Sequence, residues 1–270
     1  SSDAIDNVKD KLYTHQILAQ SNLDIPKTML LRHPIDIDFV QKNIGFPVIV
    51  KKISGSYGRG VFLCEDKKSL KQLVTMAELT KKSYELNLYN KAKWTSKDSE
   101  ELRYRYRRPA SIKGNNKYPL VLFLHGAGGR GNDNEQQLWD ANSIGAFAKQ
   151  KVSSKYQSYI FAPQVPEGER WVSAKWNVED YSMPSISSSM KLTFDALDAF
   201  IDKNKNVDTN RIYVLGLSMG GWGTWDAISR RPNYFAAAVP ICGGGDKVQA
   251  ANLNKVNIWA WHGKEDTVID

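Results

Sequence analysis

The run Gly216-Leu217-Ser218-Met219-Gly220 constrains the fold of this chain more than any other feature. Residues 211–215, just before it, form an apolar run that predicts a buried strand, and the apolar residues after it recur at helical spacing. A G-x-S-x-G run between a strand and a helix holds its serine on a tight turn as an exposed nucleophile. The glycines are needed because side chains two positions from the serine would collide with the turn. A glycine-rich turn without chemistry is the alternative interpretation.

Size and composition favour a soluble globular protein of one or two domains, since 270 residues can bury a large core. No apolar stretch approaches the roughly 20 residues that span a bilayer, so we expect no membrane partner. The first residues lack the basic start and apolar core of a signal peptide, which leaves the localisation open. Cys64 and Cys242 lie in apolar runs without metal-ligand spacing, so we expect buried free thiols and no metal site.

The net charge of +8 is spread along the chain, which favours solubility over a defined nucleic-acid site. The one basic cluster, Arg103 to Arg108, interleaves tyrosines with arginines. Its alternation predicts a strand with Tyr104 and Tyr106 turned inward and the arginines outward. A nucleic-acid patch is the alternative, and we expect no nucleic-acid partner.

The chain changes character near residue 84, which predicts two domains, 1–84 and 85–270. In the first, the pattern predicts helices at 10–19 and 35–44 and strands at 25–30, 45–51 and 61–64. Lys51 at a strand end, followed by a loop with three glycines, suits phosphate binding because backbone N–H groups can approach the oxygens. An ordinary hairpin turn is equally compatible with this pattern.

This first segment resembles the first lobe of an ATP-grasp ligase, closest to carboxylate–amine ligases of the ribosomal-protein glutamate ligase type. The matching runs are Asp10-Lys11, Ile25 to Thr28, Gly45 to Lys51 and Gly55-x-x-Gly58-x-Gly60-Val61. The resemblance implies that ATP phosphates contact Lys11, Lys51 and the loop residues Gly55, Ser56, Gly58 and Gly60. The adenine and magnesium residues of that family lie in a later lobe that the chain leaves before reaching, so we expect weak ATP binding.

The second domain carries continuous apolar runs, including 119–124, 159–162, 212–217, 236–241 and 258–261. Strands that are apolar on both faces imply a mostly parallel sheet covered by helices, for which 142–149 and 187–204 are candidates. The predicted fold class is therefore α/β, a mostly parallel sheet with helices on both faces, preceded by a small α+β ATP-grasp-like lobe.

Residues from about 95 to 270 resemble α/β-hydrolases of the esterase branch that includes prolyl-oligopeptidase-like esterases and polysaccharide-acting carboxylesterases. The four runs that carry this resemblance are His125-Gly126-Ala127-Gly128, Gly216 to Gly221, Pro240 to Asp246 and His262-Gly263-x-x-Asp266. The resemblance implies an α/β-hydrolase sheet and serine-dependent cleavage of carboxylic esters, without a cofactor.

Each run has a chemical reason. Acyl transfer passes through an oxyanion that needs two fixed N–H donors, and the resemblance assigns these to Met219 and Ala127. Ser218 would attack the carbonyl, and Asp266 would be the acid that orients a histidine. A turn aspartate without a catalytic role is the alternative interpretation of Asp266.

None of the four histidines matches the catalytic base. His125 and His262 belong to His-Gly motifs at strand ends, where such side chains satisfy backbone groups, and His15 and His33 lie in the first domain. The chain order in this fold is serine, acid, histidine, so we expect the base beyond Asp270.

Three hypotheses follow: an esterase for small-molecule or plant-polysaccharide esters, an ATP-dependent carboxylate–amine ligase fragment, or a fusion of two incomplete modules with little activity. Trp171, Trp176 and Tyr181 are candidates for the floor of a substrate groove, with local packing as the alternative. The oligomeric state is not predicted.

Overall fold

The structure, a computed structural model, describes residues 27–29, 35–51, 61–140, 144–175 and 181–269. Two compact units divide the chain, residues 1–81 and 82–270. The predicted helix at 10–19 and loop at 54–60 lie outside the described residues, and residues 27–29 of the predicted strand 25–30 form no regular element. Among the described helices, none combines the length and the apolar character that crossing a bilayer requires.

The first unit contains a short helix and a β-hairpin. Its elements are α1 (Ile37–Asn43), β1 (Val48–Lys51), β2 (Val61–Cys64) and the part of α2 (Lys67–Asn87) up to residue 81. Helix α1 begins where the Asp36 side chain accepts a hydrogen bond from the Phe39 N–H. The antiparallel strands β1 and β2 place Cys64 in a small core with Val40 and Leu70. The predicted helix at 35–44 and strands at 45–51 and 61–64 are thus confirmed, whereas α2 was not predicted.

The second unit is built on a seven-stranded sheet. Its strands are β3 (Asn90–Thr95), β4 (Glu101–Arg107), β5 (Tyr118–Leu124), β6 (Tyr159–Gln164), β7 (Val207–Leu217), β8 (Ala237–Ile241) and β9 (Asn257–Ile258). Their spatial order is β3-β4-β6-β5-β7-β8-β9. The neighbouring strands β6, β5, β7, β8 and β9 run parallel to one another. Strands β3 and β4 form an antiparallel edge beside β6.

Helices cover both faces of this sheet. The described α-helices of this part are α3 (Gln136–Trp139), α4 (Gly145–Ala148), α5 (Gln150–Lys155), α6 (Ser188–Lys203) and α7 (Met219–Arg230). Strand β5 shows the two-sided burial: Leu120, Leu122 and Leu124 pack in one core with α6 and α7, and Val121 and Phe123 pack in the other with α3 and α4. The predicted α/β class, with a mostly parallel sheet between helix layers, is confirmed.

The arginine-rich strand corrects one prediction. Tyr104 and Tyr106 pack against the main core as expected, and Tyr104 stacks on Phe161 at 4.5 Å between ring centroids. Arg105 does not face outward: it is buried and donates to the carbonyl oxygens of Asn134 (2.6 Å) and Tyr89 (3.1 Å). A guanidinium is tolerated here because backbone oxygens and the Glu135 carboxylate replace its water.

Candidate active site

Ser218 occupies a strained turn between β7 and α7. Its backbone angles are φ 55° and ψ −117°, a conformation that costs a non-glycine residue about 1–3 kcal/mol and that is held only when the surroundings enforce it. The Ser218 N–H donates to the carbonyl oxygen of Ile241 on the neighbouring strand β8, at 2.8 Å. The side chain is partly exposed, and its hydroxyl makes no hydrogen bond to another described residue.

The glycines around Ser218 let three backbone segments come together. A Cβ on Gly220 would overlap the Leu124 carbonyl oxygen at the end of β5, and one on Gly216 would overlap the Gly220 carbonyl. A Cβ on Gly221 would lie 2.5 Å from the Ile241 oxygen. The crowding that the sequence predicted for this turn is therefore present, and it extends to the strands on both sides.

Two backbone N–H groups adjoin the serine. Met219 is the first residue of α7, and Ala127 is the first residue of a 3-10 turn (Ala127–Gly129) that follows β5. Neither N–H has a hydrogen-bond partner among the described residues. The turn lies against the elbow, since a Cβ on Gly126 would be 3.2 Å from the Leu217 carbonyl oxygen. A helix N-terminus beside a free turn amide suits the binding of negative charge.

His125 fixes the direction of the Ala127 N–H. Its Nδ1 lies 2.6 Å from the Gly126 carbonyl oxygen, and its Nε2 accepts from the Val165 N–H at 3.0 Å. A carbonyl only accepts, so Nδ1 carries the proton. The Gly126 C=O therefore points toward the imidazole. Because C=O and N–H point in opposite directions across a trans peptide, the Ala127 N–H points away from the ring.

His125 is consequently a structural residue, as the sequence predicted. Burial lowers its pKa from 6.5 to about 4, so the ring is neutral at neutral pH. The Trp171 indole N–H donates to the His125 carbonyl oxygen at 2.9 Å and fixes its backbone as well. Both imidazole nitrogens are bound to backbone groups, which leaves none to receive a proton from a serine.

The sequence reasoning missed Asp140, which lies against the same turn. Burial raises the pKa of its carboxyl group above the ordinary value. A Cβ on Gly126 would lie 2.6 Å from one carboxylate oxygen, and a Cβ on Gly128 would lie 2.9 Å from the other. No local pattern marks this residue, since its contacts are with glycines more than ten positions earlier in the sequence.

The Asp266 loop lies at the carboxyl end of the sheet on the other side of the elbow. Two backbone hydrogen bonds connect this loop to the serine. The Ile241 carbonyl oxygen accepts from the Ser218 N–H, and the next residue, Cys242, donates its N–H to the Trp261 carbonyl oxygen at 2.8 Å. Cys242 is half-buried and has a φ of 48°, so it corrects the prediction of a fully buried thiol.

The Asp266 carboxylate accepts hydrogen bonds from the N–H groups of Val268 (2.9 Å) and Ile269 (3.1 Å). These bonds, more than the nearby His262 ring and Cys242 thiol, lower the pKa of Asp266 below its ordinary value. The side chain is therefore ionised at neutral pH, as an acid that orients a histidine must be. The same two bonds also form an ordinary aspartate turn, so both interpretations of Asp266 remain open.

His262 does not complete a triad in this arrangement. Its Nε2 lies 2.9 Å from the Ile269 carbonyl oxygen and 3.6 Å from the nearer Asp266 oxygen. Within the described ranges, no hydrogen bond joins His125 or His262 to Ser218. His15 and His33 lie outside those ranges.

The aromatic residues proposed for a substrate groove divide into two kinds. Trp171 is completely buried, and its ring packs against His125 at 5.1 Å and against Gly223, so it belongs to the core and not to a groove. Tyr181 is half-buried, with its ring edge-on to Trp222 at 4.8 Å. Trp176 lies outside the described residues.

The predicted nucleotide residues fall mostly outside the described chain. Lys51 ends strand β1. Lys11 and the loop residues Gly55, Ser56, Gly58 and Gly60 are outside the described ranges. Their contact with ATP stays a prediction.

The strained serine, its crowded glycines and the two adjoining N–H groups resemble the nucleophile elbow and oxyanion turn of α/β-hydrolases. Residues 188–264 match the prolyl oligopeptidase family. A solved thermostable esterase is 34% identical in sequence, with a TM-score of 0.62, over 68% of this chain and 48% of the esterase. Both comparisons agree with the hydrolase resemblance drawn from the sequence.

The N-terminal segment is similar to a different family. Residues 8–90 match the RimK-like ATP-grasp domain. A probable alpha-L-glutamate ligase of Shewanella pealeana is 39% identical over 75 residues, which are 27% of this chain and 16% of the ligase. Another, from Rhodopirellula baltica, is 37% identical over 84 residues, 31% of this chain and 21% of that ligase. The chain thus spans about a fifth or less of these ligases and about half of the esterase.

Proposed function

We propose that residues 82–270 belong to a serine hydrolase that cleaves carboxylic esters through an acyl-enzyme. The observation that carries this proposal is the elbow itself. Ser218 is held at positive φ beside two N–H groups that have no hydrogen-bond partner among the described residues, and three strand ends pack too closely for any residue but glycine. Strain of this kind is retained where function requires it. The 34% identity with a solved esterase over 68% of this chain supports esters as the substrate class.

In this mechanism the Ser218 Oγ attacks the ester carbonyl carbon, and the hydroxyl proton passes to a base. The carbonyl oxygen becomes an oxyanion that the Met219 and Ala127 N–H groups stabilise. Collapse expels the alcohol, which takes the proton back from the base, and leaves an acyl-serine. Water then repeats the sequence and releases the acid. We assign the base to neither His125, whose two ring nitrogens bind backbone groups, nor His262, whose Nε2 lies 2.9 Å from the Ile269 carbonyl oxygen.

Covalent labelling tests the nucleophile. A fluorophosphonate probe should label the wild-type protein at Ser218, and Ser218→Ala should abolish the labelling. Ser111→Ala is the matched control, because Ser111 is an exposed serine in the same unit. The proposal fails if the wild type is not labelled in the full-length protein, or if labelling persists in Ser218→Ala.

The role of Asp266 can be separated from that of a turn residue. If Asp266 orients the base, Asp266→Asn should slow the labelling per folded molecule by about 100-fold or more. Glu265→Gln, an exposed neighbouring change, should leave the rate unaltered. A variant that only loses thermal stability, and is labelled at the wild-type rate, would assign Asp266 to the turn alone. The chemical identity of the ester, including acetyl or feruloyl groups on plant polysaccharide, follows from comparing hydrolysis rates across such esters.

We also propose that residues 8–90 retain weak affinity for ATP and magnesium, because this segment matches an ATP-grasp domain. Lys11, Lys51 and the glycine loop would hold the phosphates, and the metal would neutralise their charge. Calorimetric titration with magnesium–ATP should give a dissociation constant in the millimolar range that Lys51→Ala weakens further. Lys42→Ala, which alters an exposed lysine on α1, is the control. No heat at millimolar ATP would dispose of this proposal.

A further inference from the structure

Strand β6 ends beside the oxyanion turn (Ala127–Gly129), and residues 164 and 165 hold that turn at both ends. The N–H of Val165 donates at 3.0 Å to Nε2 of His125, the ring that precedes the turn. At the other end, the side-chain amide of Gln164 donates from Nε2 to the Gly129 carbonyl oxygen at 3.2 Å. The leading and trailing ends of the turn are thus anchored by two consecutive residues.

The Gln164 amide is buried, with 2% of the residue exposed, and three hydrogen bonds fix its orientation. Besides the bond to Gly129, Nε2 donates to Asp133 Oδ1 at 2.8 Å, and Oε1 accepts from the Asn134 N–H at 2.6 Å. Burial by itself raises the pKa of Asp133, but these and neighbouring hydrogen bonds lower it overall, so its carboxylate only accepts. A backbone N–H only donates, so the NH2 group of Gln164 can face the turn in one orientation alone.

Close packing transmits the position of this amide to the turn. A Cβ on Gly129 would lie 2.5 Å from the His125 ring, and one on Gly131 would lie 3.2 Å from Gln164 Nε2. The Gly131 N–H also donates to the Val165 carbonyl oxygen at 3.0 Å. Residues 129–131 therefore follow the end of β6 through both backbone and side-chain contacts.

A buried amide needs a compensating gain at this position. An apolar side chain of the same size would fill the site without the cost of removing an amide from water. A fully bonded polar group instead fixes one arrangement of its partners, and such groups are expected where function requires that arrangement. The partner of Gln164 here is the turn whose first N–H, that of Ala127, is a proposed oxyanion donor.

We propose that Gln164 is a positioning residue for the oxyanion turn, which holds the Gly129 carbonyl so that the Ala127 N–H is aimed at the developing negative charge. The proposal rests on the ester hydrolase function proposed above. Gln164 touches neither the ester nor the serine in this mechanism. Its effect on the reaction is indirect, through the direction of one amide.

Hydrogen exchange tests the positioning without any turnover. In the full-length protein, Gln164→Met should speed exchange at Gly129 and Gly131 by about 10-fold relative to the amides of β5. The acceptors of these two N–H groups are backbone carbonyls that the substitution leaves in place. The control is Gln137→Met: Gln137 is equally buried and donates to the Asn134 side chain, and among the described residues it has no bond to the turn. Faster exchange confined to Asn134, whose N–H loses its own acceptor in Gln164→Met, overturns the proposal.

Ester hydrolysis tests the consequence for the reaction. Loss of one oxyanion donor costs about 100- to 1,000-fold in turnover, so a misdirected donor should cost less, about 10-fold. Gln164→Met should lower kcat/KM for 4-nitrophenyl acetate by this factor, mostly through kcat, with rates expressed per fluorophosphonate-titrated site. Gln137→Met should lose stability and keep the wild-type rate. A wild-type rate in Gln164→Met, or an equal loss in Gln137→Met, overturns the proposal.

A bound transition-state analogue reports the oxyanion directly. A trifluoromethyl ketone labelled with ¹³C at its carbonyl adds to Ser218, and its chemical shift against pH gives the pKa of the hemiketal hydroxyl. A misdirected Ala127 N–H stabilises the anion less, so this pKa should rise by about 1 in Gln164→Met, which corresponds to the 10-fold loss in rate. A loss of folding stability alone does not move it. An unchanged hemiketal pKa overturns the proposal.

A second variant covers the case in which Gln164→Met folds poorly. Gln164→Asn keeps a polar amide in the buried site, but its shorter side chain does not reach Gly129. It should therefore show the same faster exchange and the same slower hydrolysis, and wild-type values for both would overturn the proposal. A wild type that reacts with neither the fluorophosphonate nor the ketone overturns the hydrolase function instead, and the exchange data then decide the positioning of the turn by themselves.

Discussion

The turn after β5 and the loop after β9 lie at the carboxyl ends of strands on either side of Ser218, and they are built in different ways. Around the first, His125, Gly126 and Gly129 are buried, and partners distant in sequence hold the backbone in place. In the second, residues 261–265 are exposed, and the Asp266 carboxylate is held by N–H groups two and three positions ahead.

This difference separates the two tasks of the proposed reaction. Stabilising an oxyanion needs donors that are fixed before the substrate arrives, and buried packing against β5, β7 and β8 supplies them. Transferring a proton needs a base beside the acid, and in the loop after β9 the hydrogen bonds to the Asp266 carboxylate come from the N–H groups of Val268 and Ile269. The oxyanion half of the site, the turn at residues 125–129 with the Ser218 elbow, is therefore held by residues distant in sequence. The acid half, the loop at residues 261–269, is held by contacts within one short segment.

Equal substitutions in the two halves should have very different effects on folding. Gly220→Ala places a methyl group on the Leu124 carbonyl oxygen, which cannot move without shifting β5. We expect a loss of about 3 kcal/mol or more in the free energy of unfolding. Gly263→Ala, whose added Cβ has no neighbour closer than 4.0 Å, should cost less than about 0.5 kcal/mol. Urea unfolding measures both, and similar losses would contradict the comparison.

The pH dependence of stability should be dominated by the oxyanion half in mild acid. Because the folded-state pKa of His125 is about 4, against 6.5 in the unfolded chain, the unfolded state binds the extra proton between these values. Stability is full above pH 6.5 and falls as the pH drops toward 4, by about 3 kcal/mol. The pKa of Asp266 is lowered below 3.8, so the contribution of its carboxylate to stability is lost only at lower pH.

Two histidine variants check this assignment. In His125→Gln the loss of stability between pH 6.5 and 4 should be much smaller than in the wild type, although the variant is less stable at pH 7. His262→Gln, in the acid loop, should lose as much free energy of unfolding between pH 6.5 and 4 as the wild type does. Unfolding free energies at several pH values supply the measurement, and a steep slope that survives in His125→Gln would refute the role of that ring.

The sequence was sufficient for features set by local rules and insufficient for those set by distant partners. The elbow was predictable because the strand, the serine and the glycines are consecutive, and the apolar run of β5 sufficed to predict two-sided burial. Helix α2 was missed although Leu70, Leu73 and Val74 recur at helical spacing and could have indicated it.

Burial of polar residues was the harder part. The alternation around Arg105 predicted an outward side chain because the acceptors that satisfy it, at Asn134 and Glu135, lie about 30 positions away. Asp140 was missed for the same reason, because the glycines beside it, Gly126 and Gly128, lie more than ten positions earlier in the sequence. A buried charge depends on which loops the fold brings together, and a single sequence does not specify that at short range.

A pair of tryptophans gives the smallest and most specific comparison. Trp171→Phe removes the indole N–H that donates to the His125 carbonyl oxygen in a fully buried position. An unsatisfied buried carbonyl and a smaller ring should together cost about 2 kcal/mol. Trp261→Phe, in the exposed acid loop, should change stability by less than about 0.5 kcal/mol, because that side chain is 54% exposed.

The same pair also tests how stability and reactivity are linked. Trp171 supports the backbone of His125, and His125 orients the amide at Ala127, so Trp171→Phe should slow fluorophosphonate labelling of Ser218 per folded molecule. Trp261→Phe should leave labelling unchanged, since the backbone of Trp261 makes its hydrogen bonds to Pro240 and Cys242, and the substitution keeps both. Thermal unfolding and labelling rates on both variants provide the data. If Trp261→Phe proved the more damaging change in either measurement, the acid loop would be the more rigid half, and the division of tasks proposed above would have to be reversed.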